Sequence, residues 1–178
     1  GKSTLFNNLT HGKKQHTGNW TGVTTSTAWG ICSSPSHDYA LVDIPGTYSL
    51  SSRSAEEEVA RNFICFEKHA AVVVVCDATC LERGLLLVMQ VLETCPKALL
   101  CVNLLDEAEK RHITIDLPRL EQCLGIPVVG VAARSGKGLA QLQERLHALL
   151  HEDAPSPCPV PIPEQLEEPL QLVQAALP

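Results

Sequence analysis

Gly1-Lys2-Ser3-Thr4-Leu5-Phe6-Asn7-Asn8-Leu9 opens the 178-residue chain. Its first four residues have the form of the end of the phosphate-cradling pattern G-x-x-x-x-G-K-[ST]. In the complete pattern a buried strand feeds a glycine-rich turn whose backbone N–H groups surround phosphate oxygens, and a helix begins directly after it. The spacing therefore predicts a helix over residues 4–9, with a strand and the rest of the turn upstream of Gly1. Within the motif Gly1 and Thr4 line the phosphates, Lys2 is the cation for the β- and γ-phosphates, and Ser3 is the hydroxyl for Mg²⁺. Four residues carry little alone, and the weight falls on motifs further along the chain.

Leu41-Val42-Asp43-Ile44-Pro45-Gly46 ends an apolar run with D-x-x-G. In nucleotide switches an aspartate at a strand end holds Mg²⁺ through a water, and the glycine N–H meets the γ-phosphate. Cys101-Val102-Asn103-Leu104-Leu105-Asp106 places N-x-x-D directly after another apolar run. A carboxylate at Asp106 can accept hydrogen bonds from N1 and N2 of guanine, a pattern adenine does not offer. The same tetrapeptide also suits an ordinary strand-to-helix turn with Asp106 as the helix cap. Leu104 stands where a lysine is usual. A third element, Val131-Ala132-Ala133-Arg134-Ser135-Gly136-Lys137-Gly138, has small residues at Ala132 and Ala133 that let backbone N–H groups approach guanine O6, although S-A-R is the more familiar form. These elements, in this order and at the ends of apolar runs, predict a GTP-binding fold.

Strands are expected over residues 26–32, 39–43, 71–75, 98–102 and 127–131, the last three being β-branched or apolar runs suited to burial on both faces. Helical periodicity occupies 55–67, 82–92, 117–124 and 139–150. Strand followed by helix, repeated, predicts an α/β fold with a doubly wound, mostly parallel sheet. After residue 150 prolines stand at every second position from Pro155 to Pro163, which favours an extended spacer. Beyond it 164–177 has Leu166, Leu170 and Val173 at helical spacing, interrupted by Pro169. The expected organisation is a nucleotide domain at 1–150, a linker at 151–163 and the start of a helical domain at 164–178.

Composition limits the alternatives. A formal charge of −6 without long one-sign blocks argues against a nucleic-acid partner. The longest apolar run, 70–76, is far below the ~20 residues that span a bilayer. The eight cysteines form no C-x-x-C pair and read as reduced, small core residues. His147 and His151 stand four apart on a predicted helix. With no third ligand at a recognisable spacing they read as a solvated face.

Gly18-Asn19-Trp20-Thr21-Gly22-Val23-Thr24, Asp43-Ile44-Pro45-Gly46-Thr47-Tyr48-Ser49-Leu50, Glu57-Glu58-Val59-Ala60-Arg61 and Asn103-Leu104-Leu105-Asp106-Glu107-Ala108-Glu109-Lys110-Arg111 together closely resemble the cytosolic G domain of the bacterial ferrous iron transport protein B (FeoB) family. The resemblance covers residues 1–150. It implies a Ras-like P-loop GTPase fold whose first central strand lies upstream of Gly1, with a short C-terminal helical extension. It makes Thr24 the switch threonine that completes the Mg²⁺ shell on GTP binding; a plain turn hydroxyl is the alternative.

On this reading Lys2, Thr24 and Gly46 serve hydrolysis. Gly1, Lys2, Ser3, Thr4, Thr24, Asp43, Gly46, Asn103, Asp106, Ala132 and Ala133 hold the nucleotide, and Ser3, Thr24 and Asp43 hold Mg²⁺. Thr47 follows Gly46 where many switch GTPases carry a water-orienting glutamine, so hydrolysis is expected to be slow. The resemblance also implies K⁺ activation, with an upstream asparagine and carbonyls near Gly18 to Trp20 as ligands.

The implied setting is the cytoplasmic face of the bacterial inner membrane, as the soluble domain of a transporter. Its expected partners are its own helical and transmembrane domains, small cytosolic Feo accessory proteins and a homo-oligomer formed through the membrane domain. A regulatory module that binds GTP and GDP without hydrolysis, or a ribosome-assembly GTPase, are the other readings. Residues 1–178 alone are expected to bind GTP poorly or not to fold, because the absent strand belongs between those ending at Asp43 and Asp77. That arrangement leaves a gap between the two.

Overall fold

The computed structural model describes residues 1–12, 14–15, 28–33, 37–51 and 54–151. Thr24, the Gly18–Trp20 segment, Cys158, the proline spacer and the helical tail lie outside these residues. In chain order the elements are α1 (Lys2–Leu9), β1 (Lys14–Gln15), β2 (Ala28–Ser33), β3 (Asp38–Asp43), α2 (Ala55–Phe66), β4 (Val72–Asp77), α3 (Leu81–Thr94), β5 (Ala98–Asn103), α4 (Leu105–Lys110), α5 (Leu117–Leu124), β6 (Val128–Gly130) and α6 (Leu139–His151). A single 3₁₀ turn, Ala78–Cys80, joins β4 to α3.

Local chemistry accounts for the helix starts. Ser54 Oγ accepts the Glu57 N–H at 3.2 Å and caps α2. Asp116 Oδ1 accepts the Arg119 N–H at 2.9 Å at the head of α5, where Pro118 fits the first turn. Gly138, at φ +83°, precedes α6, and a Cβ there would collide with the Gly130 carbonyl oxygen. Only glycine lets the loop pass so close to β6. Gly84 does similar service on α3, since a Cβ would run into Cys76 Sγ.

The strands form two sheets of three, in the orders β1-β2-β3 and β4-β5-β6. The second is parallel, with Val72 opposite Ala98 through Asp77 opposite Asn103, and Cys101 opposite Val129. Every residue of β5 is buried, as expected for a strand covered on both faces. Its alternate residues feed two cores. Leu100 and Val102 pack with Ile64, Val88, Val91 and Ile126 on the α2–α3 side. Leu99 and Cys101 pack with Leu5, Leu9, Leu142 and Leu146 on the α1–α6 side.

The first sheet is the antiparallel part of this α/β fold, whose sheet was expected to be mostly parallel. β2 and β3 are antiparallel, with Trp29 opposite Val42 and Gly30 opposite Leu41, and no helix is described between them. Among the described residues no ladder joins β3 to β4. Cavities lie between them instead. One is lined by Leu41, Val42, Val73, Val75 and the α1 and α6 side chains Leu5 and Leu142. The other is lined by Ile44, Val72, Val74, and by Ile64 and Val91 from α2 and α3. The two edges thus border a slot with apolar cover above and below.

Candidate nucleotide site

The motif residues gather at the carboxyl ends of the parallel strands, where open α/β sheets place their ligands. A cleft there is lined by Gly1, Lys2, Thr47, Tyr48, Asp77, Arg83, Asn103 and Leu104. It runs from the head of α1 to the end of β5, so the phosphate and base elements share one wall.

Lys2 is the first residue of α1. Its Nζ lies 3.0 Å from Asp43 Oδ1 and also donates to the Ile44 carbonyl. The lysine side chain is 37% exposed and the carboxylate 18%. This pair joins two of the motifs, and it must open for Lys2 to reach a phosphate while Asp43 faces a hydrated cation. Ser3, Thr4 and Gly46 are exposed. Ser3 and Asp43 present hydroxyl and carboxylate oxygens, a hard donor set that fits Mg²⁺.

The D-x-x-G loop is braced against α3. The Gln90 Oε1 accepts Leu50 N–H at 2.8 Å and Ser49 Oγ–H at 3.1 Å, and Arg83 stacks 3.7 Å over the Tyr48 ring. Thr47 is engaged locally, its hydroxyl donating to the Ser49 carbonyl at 2.5 Å.

Asn103 is 1% exposed and organises the base end. Its Oδ1 accepts the Leu104 N–H at 2.8 Å and the Ala133 N–H at 3.1 Å. Asn8, on α1, donates from Nδ2 to the Ala133 carbonyl. One loop is therefore held from both α1 and β5. Leu104 sits at φ +66°, a left-handed conformation that costs a branched side chain about 1 kcal/mol or more. That kink turns the chain from β5 into α4 within a single residue. Asn103 Nδ2 and Asp106 Oδ1 are buried and make no hydrogen bond.

The backbone N–H groups of Ala132 and Ala133 are both engaged within the fold. Ala132 N–H donates to the Lys137 carbonyl at 3.0 Å, and Ala133 N–H is taken by Asn103. An approach to guanine O6 by Ala133 requires it to share or exchange that acceptor. Sequence reasoning did not find Asn8, Arg83 or Gln90. Their partners lie far away in the chain, and no local pattern marks them.

The cysteine expectation holds in part. Cys32, Cys76, Cys95 and Cys101 are buried, whereas Cys80 and Cys123 are exposed, and all are free thiols. Burial pushes Cys76 up to about 11 and Cys101 up to about 12, with the neighbouring thiols adding to the effect, so these core thiols stay protonated.

A family model for ferrous iron transport protein B matches residues 1–146. The chain belongs to the ferrous iron transport protein B family. The Fe(2+) transporter FeoB of Escherichia coli (strain K12) is 41% identical over 147 residues, covering 80% of this chain and 19% of that protein. The chain thus spans about a fifth of the length of the curated FeoB relatives it matches. The cytosolic domain of T. maritima FeoB in a GDP form superposes with a TM-score of 0.90 at 32% identity, over 98% of this chain and 68% of that one. The FeoB G domain from Methanococcus jannaschii does so at 0.74 and 34%, over 85% and 91%. The fold is accordingly that of FeoB G domains, a P-loop GTPase fold. Membership of this family sets aside the ribosome-assembly reading. Among the described residues no helix is long and apolar enough to cross a membrane.

Proposed function

We propose that the chain is the guanine-nucleotide switch of a ferrous iron transporter. It binds GTP with Mg²⁺ and hydrolyses it slowly to GDP and phosphate, and this drives or gates Fe²⁺ uptake from the cytoplasmic face of the membrane. The guanine reading is carried by one observation, the orphaned Asn103 Nδ2 and Asp106 Oδ1, a buried donor and a buried acceptor three residues apart in N-x-x-D. Leaving such groups unpaired costs about 1–3 kcal/mol each. Guanine offers N1–H and N2–H to the carboxylate and the O6/N7 acceptor edge to the amide.

Lys2 supplies charge to the β- and γ-phosphates after leaving Asp43, and Gly46 offers its N–H toward the γ-phosphate. Ser3 and Asp43, joined by Thr24 on the family resemblance, hold Mg²⁺, which neutralises phosphate charge when bound. Ala132 and Ala133 shape the base loop. Thr47 has too short a side chain, already bonded to Ser49, to orient a water, which supports slow turnover. K⁺ activation, an accompanying helical and transmembrane domain, Feo accessory proteins and oligomerisation through the membrane domain belong to the same reading.

The test is a nucleotide titration followed by single-turnover hydrolysis, on the domain preceded by a complete P-loop. Preference for GTP over ATP and K⁺-stimulated phosphate release are expected. Equal affinity for the two nucleotides refutes guanine recognition. Tight GTP binding without phosphate release in K⁺ leaves a non-hydrolysing regulatory module.

A further inference from the structure

At the other end of β3 from Asp43 the fold gathers three histidines that the nucleotide site does not use. His37 precedes β3, while His147 and His151 project from the last turns of α6. A ring nitrogen of each lies within 4.8 Å of a nitrogen of the other two. The ring centroids of His37 and His151 are 4.3 Å apart, and those of His147 and His151 are 4.4 Å apart. Tyr39 Oη stands among them, 2.5 Å from His147 Nδ1 and 3.0 Å from His151 Nε2. The four-residue spacing on α6 supplies two candidate ligands and no third. The third comes from the β2–β3 hairpin, whose ladder, with Cys32 opposite Tyr39, fixes where β3 begins.

We propose that His37, His147 and His151 form a site for a first-row divalent transition-metal ion, with the Tyr39 oxygen as a neighbouring fourth donor. Imidazole nitrogen suits Zn²⁺, Fe²⁺, Co²⁺ and Ni²⁺, and three histidines with one further position is a recurrent arrangement for such ions. Nitrogens at about 2.1 Å from a tetrahedral ion lie roughly 3.4 Å apart. The set must therefore tighten somewhat, and the exposed rings of His37 and His151 have room to turn. An ion here would tie the start of β3 to the end of α6, and the far end of β3 carries Asp43, the partner of Lys2.

The test uses the full-length natural protein, purified without metal and titrated with Co²⁺ and Zn²⁺ beside His37→Ala and H147Q/H151Q variants. GTP binding, which none of these residues touches, serves as the folding control. The expected result is one high-affinity ion in the wild type that both variants lack. That ion should give four-coordinate Co²⁺ visible bands, and His37→Ala should weaken it roughly tenfold or more. Binding unchanged by His37→Ala overturns the proposal, as does a thiolate-to-metal charge-transfer band that assigns the ion to a cysteine. No difference between wild type and variants also overturns it.

Discussion

At the residue scale the consequential pair is Asn103 and Asp106. Asn103 uses its oxygen to hold two backbone N–H groups and leaves its amide unpaired, so it is a structural clamp with a buried donor to spare. Asp106 has a buried oxygen with nothing to accept. Asp106→Asn replaces one acceptor by a donor. That is wrong for the guanine amino group and right for the 2-oxo group of xanthine. The expected outcome is a GTP affinity lower by about 100-fold or more, with xanthosine triphosphate now preferred. A competition titration reads this directly. Equal loss of both nucleotides would mean that Asp106 acts only as a negative charge in the first turn of α4, whose cap position is Leu104. Leu104 belongs to the same turn, and its left-handed backbone was invisible in a tetrapeptide that any strand-to-helix junction accommodates.

At the element scale α5 and α6 are joined by one ion pair. Glu121 of α5 accepts from Arg145 of α6, and its other oxygen takes the Val128 N–H at 3.1 Å at the entry to β6. Desolvation works against the charge, but the bonds from Arg145 and Val128 outweigh it, and the Glu121 carboxyl is held below the usual range. A depressed carboxyl stabilises the fold above its unfolded pKa of about 4.3, and this contribution is lost as pH falls through the folded value. Glu121→Gln should therefore flatten the acid side of the stability profile below that pH. The difference is expected to be under about 1 kcal/mol, because both side chains are more than a third exposed. Urea unfolding at several pH values measures it. Elements of this kind were legible when a local signal marked them. α5 follows from the Asp116 cap, Pro118 and apolar periodicity, and β5 from an unbroken apolar run. β1 was not legible, because Lys14-Gln15 has no apolar pattern and is a strand only by pairing with Trp29 and Gly30. The antiparallel pairing of β2 with β3 is written in neither segment alone, because its direction and register come from the ladder that joins Ala28–Ser33 to Asp38–Asp43. The motif residues were readable since their chemistry dictates residue type. Asn8 was not, because its tie to Ala133 exists only in the folded chain.

At the scale of the whole molecule the slot between β3 and β4 leaves two strand edges with no ladder between them among the described residues. Both edges lie between helices that already supply apolar cover, so a strand entering the slot would gain two ladders with little rearrangement. Adding an apolar β-strand and a complete glycine-rich turn before Gly1 is expected to raise the unfolding free energy by roughly 3 kcal/mol or more. Urea titration of the two chains compares them, and unchanged stability would show that the slot does not take a strand. The backbone of β4 carries a finer consequence. Val72 donates its N–H toward β5, to the Lys97 carbonyl at 2.9 Å. Because successive residues of a strand turn their amides to opposite sides, Val74 also faces β5, while Val73 and Val75 face the slot. Deuterium should enter β4 like the teeth of a comb, fast at Val73 and Val75 and slow at Val72 and Val74. Once a strand occupies the slot the teeth should close, and all four amides should resist the solvent alike.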